Sequence, residues 1–202
     1  MDKSLETHIQ TLEDILRDVN TPVEGNCVYV HQTLTRAPAL HAKQRNLLKV
    51  STLASQILEI GFNAGHSCLF MLMGNPHCTI QVFDLGNHLY SFPCFKYLNE
   101  QFPGRLSIVW GDSTKSVKRF AEINPDTKFD VLHIDGGHSY EIVKQDFIHC
   151  KELSHDKSLI IVDDIDDPSV RRVCVENRME DVAEIFEPTT LYPHKLCRFP
   201  TV

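Results

Sequence analysis

Three carboxylates close two apolar runs, and they are where this sequence could do chemistry. Asp135 follows Phe129-Asp130-Val131-Leu132-His133-Ile134, and Asp163 and Asp164 follow Ser158-Leu159-Ile160-Ile161-Val162. Each run reads as a buried strand, and in an open α/β sheet ligands bind outside the carboxyl ends of the strands. Carboxylates delivered there from neighbouring strands would meet. Two like charges 4 Å apart repel by about 4 kcal/mol at an effective dielectric near 20. A cation is therefore expected among them, and an all-oxygen donor set favours Mg²⁺, Mn²⁺ or Ca²⁺ over zinc. His138 stands just beyond Asp135 in Asp135-Gly136-Gly137-His138-Ser139-Tyr140. With an ordinary pKa near 6.5 it can take a proton at neutral pH.

A second group of residues could hold a nucleoside. In Glu59-Ile60-Gly61-Phe62-Asn63-Ala64-Gly65-His66-Ser67, two glycines permit a tight turn and close approach of a ligand to the backbone. The spacing E-x-G-x-x-x-G differs from the G-x-G-x-x-G of dinucleotide sites, and no P-loop is present. Asp84 ends the next apolar run, where a carboxylate can accept ribose hydroxyls, or can simply be solvated. Gly111-Asp112-Ser113 follows the third run, where it could frame an adenine edge, or Asp112 could cap the next helix.

The elements that must position these residues follow from periodicity. Leu5, Ile9, Leu12, Ile15 and Leu16 recur at helical spacing over residues 3–18. Residues 40–55 read as a second helix, with Leu40, Leu47, Leu48 and Leu53 on one side and Lys43, Gln44 and Arg45 elsewhere. Strands are then expected at 57–62, 79–85, 106–110, 129–134 and 158–162, with helices at 66–73, 93–102, 114–123 and 139–153 between them. Asp167-Pro168 should open a further helix running to about residue 179. Residues 182–186 and 195–199 close the chain as two strands with no room for a helix between them, so they should pair antiparallel. Strands alternating with helices imply an α/β, doubly wound, mostly parallel sheet. The chain is read as one domain, with residues 1–55 a helical extension and 56–202 the core.

These segments, in this order, resemble class I S-adenosylmethionine-dependent methyltransferases over roughly residues 40–186. The segments HIDGGHSYE and VDDI are similar to the cation-dependent O-methyltransferases among them. The resemblance implies a Rossmann-like, seven-stranded sheet with an antiparallel last strand. It implies a methionine end of S-adenosylmethionine lined by Glu59, Gly61, Phe62, Asn63, Gly65 and Ser67. Asp84 and Leu85 would lie at the ribose, Asp112 and Ser113 at the adenine, and Asp135 beside the donor. Asp135, Asp163 and Asp164 match the family's metal positions, for Mg²⁺ or Mn²⁺. His138 stands where catechol-type members carry a lysine base, which brings the chain closer to macrolide-sugar O-methyltransferases. Their IDGDHSY pattern has Asp where this chain has Gly137.

The expected reaction is methyl transfer to a hydroxyl of a sugar or glycan, a vicinal diol being suited to the site, with glycan-modifying domains of viral or algal type a similar group. A catechol or natural-product acceptor is the alternative. An NAD(P)-linked oxidoreductase and a non-catalytic nucleoside-binding module are the readings from other classes. Arg36, Arg171 and Arg172 are candidate acceptor contacts.

Bulk properties narrow the partners. The 202 residues carry a formal net charge of −7, which argues against a broad nucleic-acid surface. No apolar run is long enough for a membrane helix and no signal-peptide layout opens the sequence, so a cytoplasmic location is expected. The seven cysteines form no C-x-x-C pair and read as reduced, buried small side chains. The N-terminal helical segment could pack across a two-fold axis as a homodimer.

Overall fold

A computed structural model describes residues 3–182 and 184–200 of the chain. The helical extension consists of α1 (Lys3–Val19), a 3₁₀ turn at Pro38–Leu40 and α2 (His41–Ser51). β1 (Gln56–Ile60), α3 (His66–Gly74), β2 (Thr79–Asp84), α4 (Ser91–Gln101), β3 (Leu106–Trp110) and α5 (Ser113–Ile123) follow. The chain continues through β4 (Phe129–Ile134), α6 (Tyr140–Glu152), β5 (Ser154–Val162), α7 (Pro168–Glu176), β6 (Glu180–Asp181) and β7 (Lys195–Arg198). The seven strands form one sheet in the order β3-β2-β1-β4-β5-β7-β6. β1 to β5 pair in parallel, and β7 runs antiparallel to both β5 and β6.

Because successive strand residues face opposite sides, the sheet divides the core in two. Ile57, Ile80, Val82, Val131, Leu159 and Ile161 pack with residues of α1 to α4 on one side. Leu58, Ile60, Phe83, Leu132, Ile134, Ile160 and Val162 pack with α5, α6 and α7 on the other. α1 contributes Leu5, Ile9, Leu12 and Leu16, all buried as their spacing requires. Asp167 caps α7 through the Ser169 and Val170 amides, with Pro168 in the first turn, as expected.

Two expectations are corrected. Among the described residues of 182–186, none lies in a strand. β6 ends at Asp181, and the Val182 amide makes a last bond to the Leu196 carbonyl at 2.8 Å. The chain then turns to α2, where Glu187 pairs with Arg45 at 2.6 Å and its amide bonds Asn46 Oδ1. Those contacts take it off the sheet edge; residue 183 lies outside the described residues. On α2, Lys43 and Gln44 are buried rather than turned from the core, at 4% and 7% exposure. The first turn of this helix sits over the strand tips, where a polar residue finds polar partners.

Candidate active site

The strand tips of β2, β1, β4 and β5 are stitched together beyond their ladders. The Gly61 amide bonds the Phe83 carbonyl at 2.8 Å, Asp135 N bonds Ile60 O at 2.9 Å, and Asp163 N bonds Ile134 O at 3.0 Å. This fixes the two acidic loops beside the glycine turn. Gly61 has φ +97°, and a Cβ there would collide with the Asp135 carbonyl, so only glycine lets the two loops approach. Gly65, at φ +77°, caps the start of α3.

Asn26, Cys27, Lys43, Gly61, Phe62, Asn63, Ala64, His66, Ser67, His133, Asp135 and Asp163 line a cavity of about 20 Å³. That is room for about one water molecule. Asn26 and Cys27 belong to a segment, residues 24–31, that hydrogen bonds tie down beside it. Asn63 Nδ2 donates to Gly25 O at 3.3 Å, Glu24 N to Tyr90 Oη at 3.2 Å, His31 N to Tyr192 Oη at 2.8 Å, and Gln44 Nε2 to Cys27 O at 2.8 Å.

Of the residues expected at the methionine end, Gly61, Phe62, Asn63 and Ser67 line this cavity. Glu59 does not. It is wholly buried within the sheet, bonding His133 Nδ1 at 2.8 Å through one oxygen and accepting from the Cys68 thiol through the other. Asp84 ties β2 to the glycine turn: Oδ2 accepts from the Phe62 and Asn63 amides at 2.7 and 3.1 Å, and Oδ1 from Gly86 N at 2.7 Å. Three acceptor positions are thus used within the fold. Leu85 beside it is exposed. Asp112 takes the capping role, accepting from Thr114 N at 3.0 Å and Thr114 Oγ1 at 2.7 Å, and Ser113 begins α5.

The acidic residues are drawn close but not into one cage. Asp163 is 3% exposed; its Oδ1 accepts from Lys43 Nζ at 2.5 Å and Asp164 N at 3.0 Å, and its Oδ2 from His133 Nε2 at 3.1 Å. Burial alone would raise its pKa, but Lys43 and His133 hold it well below the usual carboxylate range. Burial also opposes charge on His133, yet its bonds to Asp163 and Glu59 lift its pKa to about 10. Asp135 has no such donor, and burial together with Asp163 pushes its carboxyl well above the normal range.

Asp164 turns the other way. Its φ is +47°, a left-handed conformation uncommon outside glycine and favoured among the rest by Asp and Asn. Its Oδ2 lies 3.0 Å from His138 Nε2, and that bond raises the His138 pKa to about 9 despite partial burial. One ligand atom each from Asp135, His138 and Asp164 lies within 4.8 Å of the others, and so does one each from Asp135, His133 and Asp163. Two carboxylates, one of them crowded by its neighbours into a raised pKa, make a donor set that suits a divalent cation.

Lys43, His133, Cys68 and Tyr192 were not anticipated at the site. A signal existed for His133: it and Glu59 are polar residues on the core-facing parity of apolar strands and stand opposite one another in register. The candidate arginines are already engaged. Arg36 pairs with Glu6 and Glu13, Arg172 with Glu176, and Arg171 Nε reaches Ile165 O. All seven cysteines are free. Among the described residues, no helix is long and apolar enough to cross a membrane.

Residues 58–165 match a family described as a methyltransferase domain. No curated protein matches the sequence. Among solved structures, the chain is similar to an O-methyltransferase from Bacillus cereus in complex with S-adenosylhomocysteine, at 14% identity and TM-score 0.68, over 96% of this chain and 91% of that one. It is similar to an O-methyltransferase of tomaymycin synthesis from Streptomyces achromogenes, in complex with S-adenosylmethionine, at 16% identity and TM-score 0.66, over 100% and 91%. It is also similar to the apo structure of a TDP-rhamnose 3′-O-methyltransferase of calicheamicin biosynthesis, at 19% identity and TM-score 0.59, over 100% and 96%.

Proposed function

The chain belongs to the methyltransferase-domain family and has the fold of the S-adenosylmethionine-dependent O-methyltransferases, and on that premise we propose that it methylates a hydroxyl of a sugar or glycan. The observation that carries this reading is the meeting of three loops. The Gly61 turn abuts Asp135, and Asp164 with His138 stands beside them at the same strand tips. The turn offers backbone to the donor, and the acidic loops offer charge to the acceptor.

The donor carries a sulfonium methyl group that is already a strong electrophile. What remains for the protein is alignment and the removal of one proton. Gly61, Asn63 and Ser67 line the place for the methionine end. The acceptor oxygen takes the methyl group, the sulfur keeps the electron pair of the broken C–S bond, and the hydroxyl proton passes to a neutral His138. Pairing with Asp164 favours the protonated imidazole, so the reactive form grows as pH rises. Asp135 and Asp164 are the residues that would hold a divalent ion. When bound, such an ion would compete with the imidazole for Asp164 and favour the ionised form of a nearby hydroxyl. A sugar acceptor is supported by the histidine at this position and by the likeness to a fold that acts on TDP-rhamnose.

Calorimetric binding of S-adenosylhomocysteine and of NAD⁺ tests the donor. Preference for NAD⁺ would end the methyltransferase reading. Transfer of radiolabelled methyl to nucleotide sugars, glycans and catechols, with and without EDTA, tests the rest. Label on sugars is the expected result. Label on catechols alone would move the acceptor to small aromatic diols, and transfer indifferent to chelation would remove the ion while leaving methylation in place.

A further inference from the structure

The charged residues at the strand tips form two groups with different charge balance. The inner group is Lys43, Asp163, His133 and Glu59. Both nitrogens of His133 face carboxylate oxygens, Glu59 at 2.8 Å and Asp163 at 3.1 Å. Lys43 and His133 thus stand between the carboxyl groups of Asp163 and Glu59, which are held within the fold. Lys43 is held on a second side by the Tyr192 carbonyl at 3.1 Å. Its side chain is 4% exposed and that of Asp163 is 1% exposed. With three donors around it, the Asp163 carboxylate has little left to give an ion. The outer group sets two carboxylates, Asp135 and Asp164, against one imidazole and is more open to solvent, with Asp135 also within 4.8 Å of His133 and Asp163 and so bordering both groups.

We propose that Lys43 is a resident cation of this site: it holds Asp163 permanently, stands where a third metal-binding carboxylate would otherwise be free, and confines divalent-ion binding to Asp135 and Asp164. This rests on the methyl-transfer reading above, and deepens it by making α2, outside the matched family segment, a determinant of ion binding. Removing Lys43 alone would free Asp163 as an added ligand, while leaving a buried carboxylate short of a partner. Removing both members of the pair leaves no such charge and should spare the fold.

Mn²⁺ binding, followed by electron paramagnetic resonance on the full chain, tests the assignment without any assay of turnover. Circular dichroism and thermal unfolding of each sample report whether the fold is intact, and S-adenosylhomocysteine binding by the parent reports the donor site. Asp164→Asn is expected to weaken Mn²⁺ binding by about tenfold or more, whereas the double variant Lys43→Met/Asp163→Asn should stay within about threefold of the parent. Lys43→Met, where it folds, should bind the ion more tightly than the parent. A double variant weakened as much as Asp164→Asn would overturn the proposal, because Asp163 would then be a ligand. So would a parent protein that takes up no Mn²⁺ while still binding S-adenosylhomocysteine. Failure to bind S-adenosylhomocysteine in the parent would instead strike the methyltransferase reading itself.

Discussion

His138 Nε2 lies 3.0 Å from Asp164 Oδ2, so the loops after β4 and β5 are joined at the mouth of the crevice by a proton-dependent pair. The folded pKa of His138, about 9, stands above its ordinary 6.5. The pair therefore stabilises the fold fully below about pH 6.5 and loses that contribution as pH rises through about 9. The side chain is 48% exposed, so the effect on stability is small. NMR of the imidazole in metal-free protein should show titration near 9, and Asp164→Asn should bring it back toward 6.5. An unmoved midpoint would remove Asp164 as the cause.

The same pairing predicts how His138 acts in turnover. His138→Ala should lower kcat with little change in S-adenosylhomocysteine affinity, because the ring is not among the residues lining the donor cavity. In the parent, kcat should climb with pH as the imidazole loses its proton. Equal rates for parent and variant across pH 6–9 would exclude histidine as the base.

His133 bridges Glu59 on β1 and Asp163 after β5 with no exposed surface of its own. His133→Leu would leave both carboxylates buried without their shared donor, and removing one partner of a buried pair costs about 3–5 kcal/mol. The denaturant midpoint should fall accordingly. Because the folded pKa is raised to about 10, the stabilising contribution is complete below about pH 6.5 and disappears as pH rises through 10. A variant as stable as the parent at pH 7 would contradict the bridge.

Gly61→Ala places a methyl group against the Asp135 carbonyl at a φ that side chains rarely adopt. Backbone strain of this kind costs about 1–3 kcal/mol, and backbone atoms cannot swing aside as a flexible side chain would. Lost S-adenosylhomocysteine binding and a lower melting temperature are expected together. Gly104→Ala is the control, since no atom lies within 4 Å of a Cβ there and only the positive φ is strained.

Asp146 on α6 is wholly buried, and neither carboxyl oxygen meets a hydrogen-bond partner. Burial raises its pKa to about 7, and the neighbouring Asp112 charge acts in the same direction. The folded protein therefore holds a proton that the unfolded chain releases near 3.8, and stability falls as pH rises from about 4 to 7. Asp146→Asn should be more stable than the parent at pH 8 and equal to it at pH 4, by chemical denaturation. No gain at pH 8 would mean that the carboxylate has a partner when ionised.

The sequence alone determined the alternation of strands and helices, the glycine turn after the first strand, and the placing of Asp135, Asp163, Asp164 and His138 at strand ends. Those features are local: apolar period, glycine position and strand termination are properties of a few consecutive residues. The tertiary structure decided which charges face each other. Lys43 lies 120 residues from Asp163 in sequence and belongs to a helix whose apolar pattern pointed it elsewhere; only packing of α2 over the strand tips buries it there. Glu59 likewise stands out in its motif, and the register of β1 with β4 sets it against His133, a partner that the motif does not name. Spacing along a chain tells which residues reach the crevice, but how their charges divide depends on neighbours that spacing does not name.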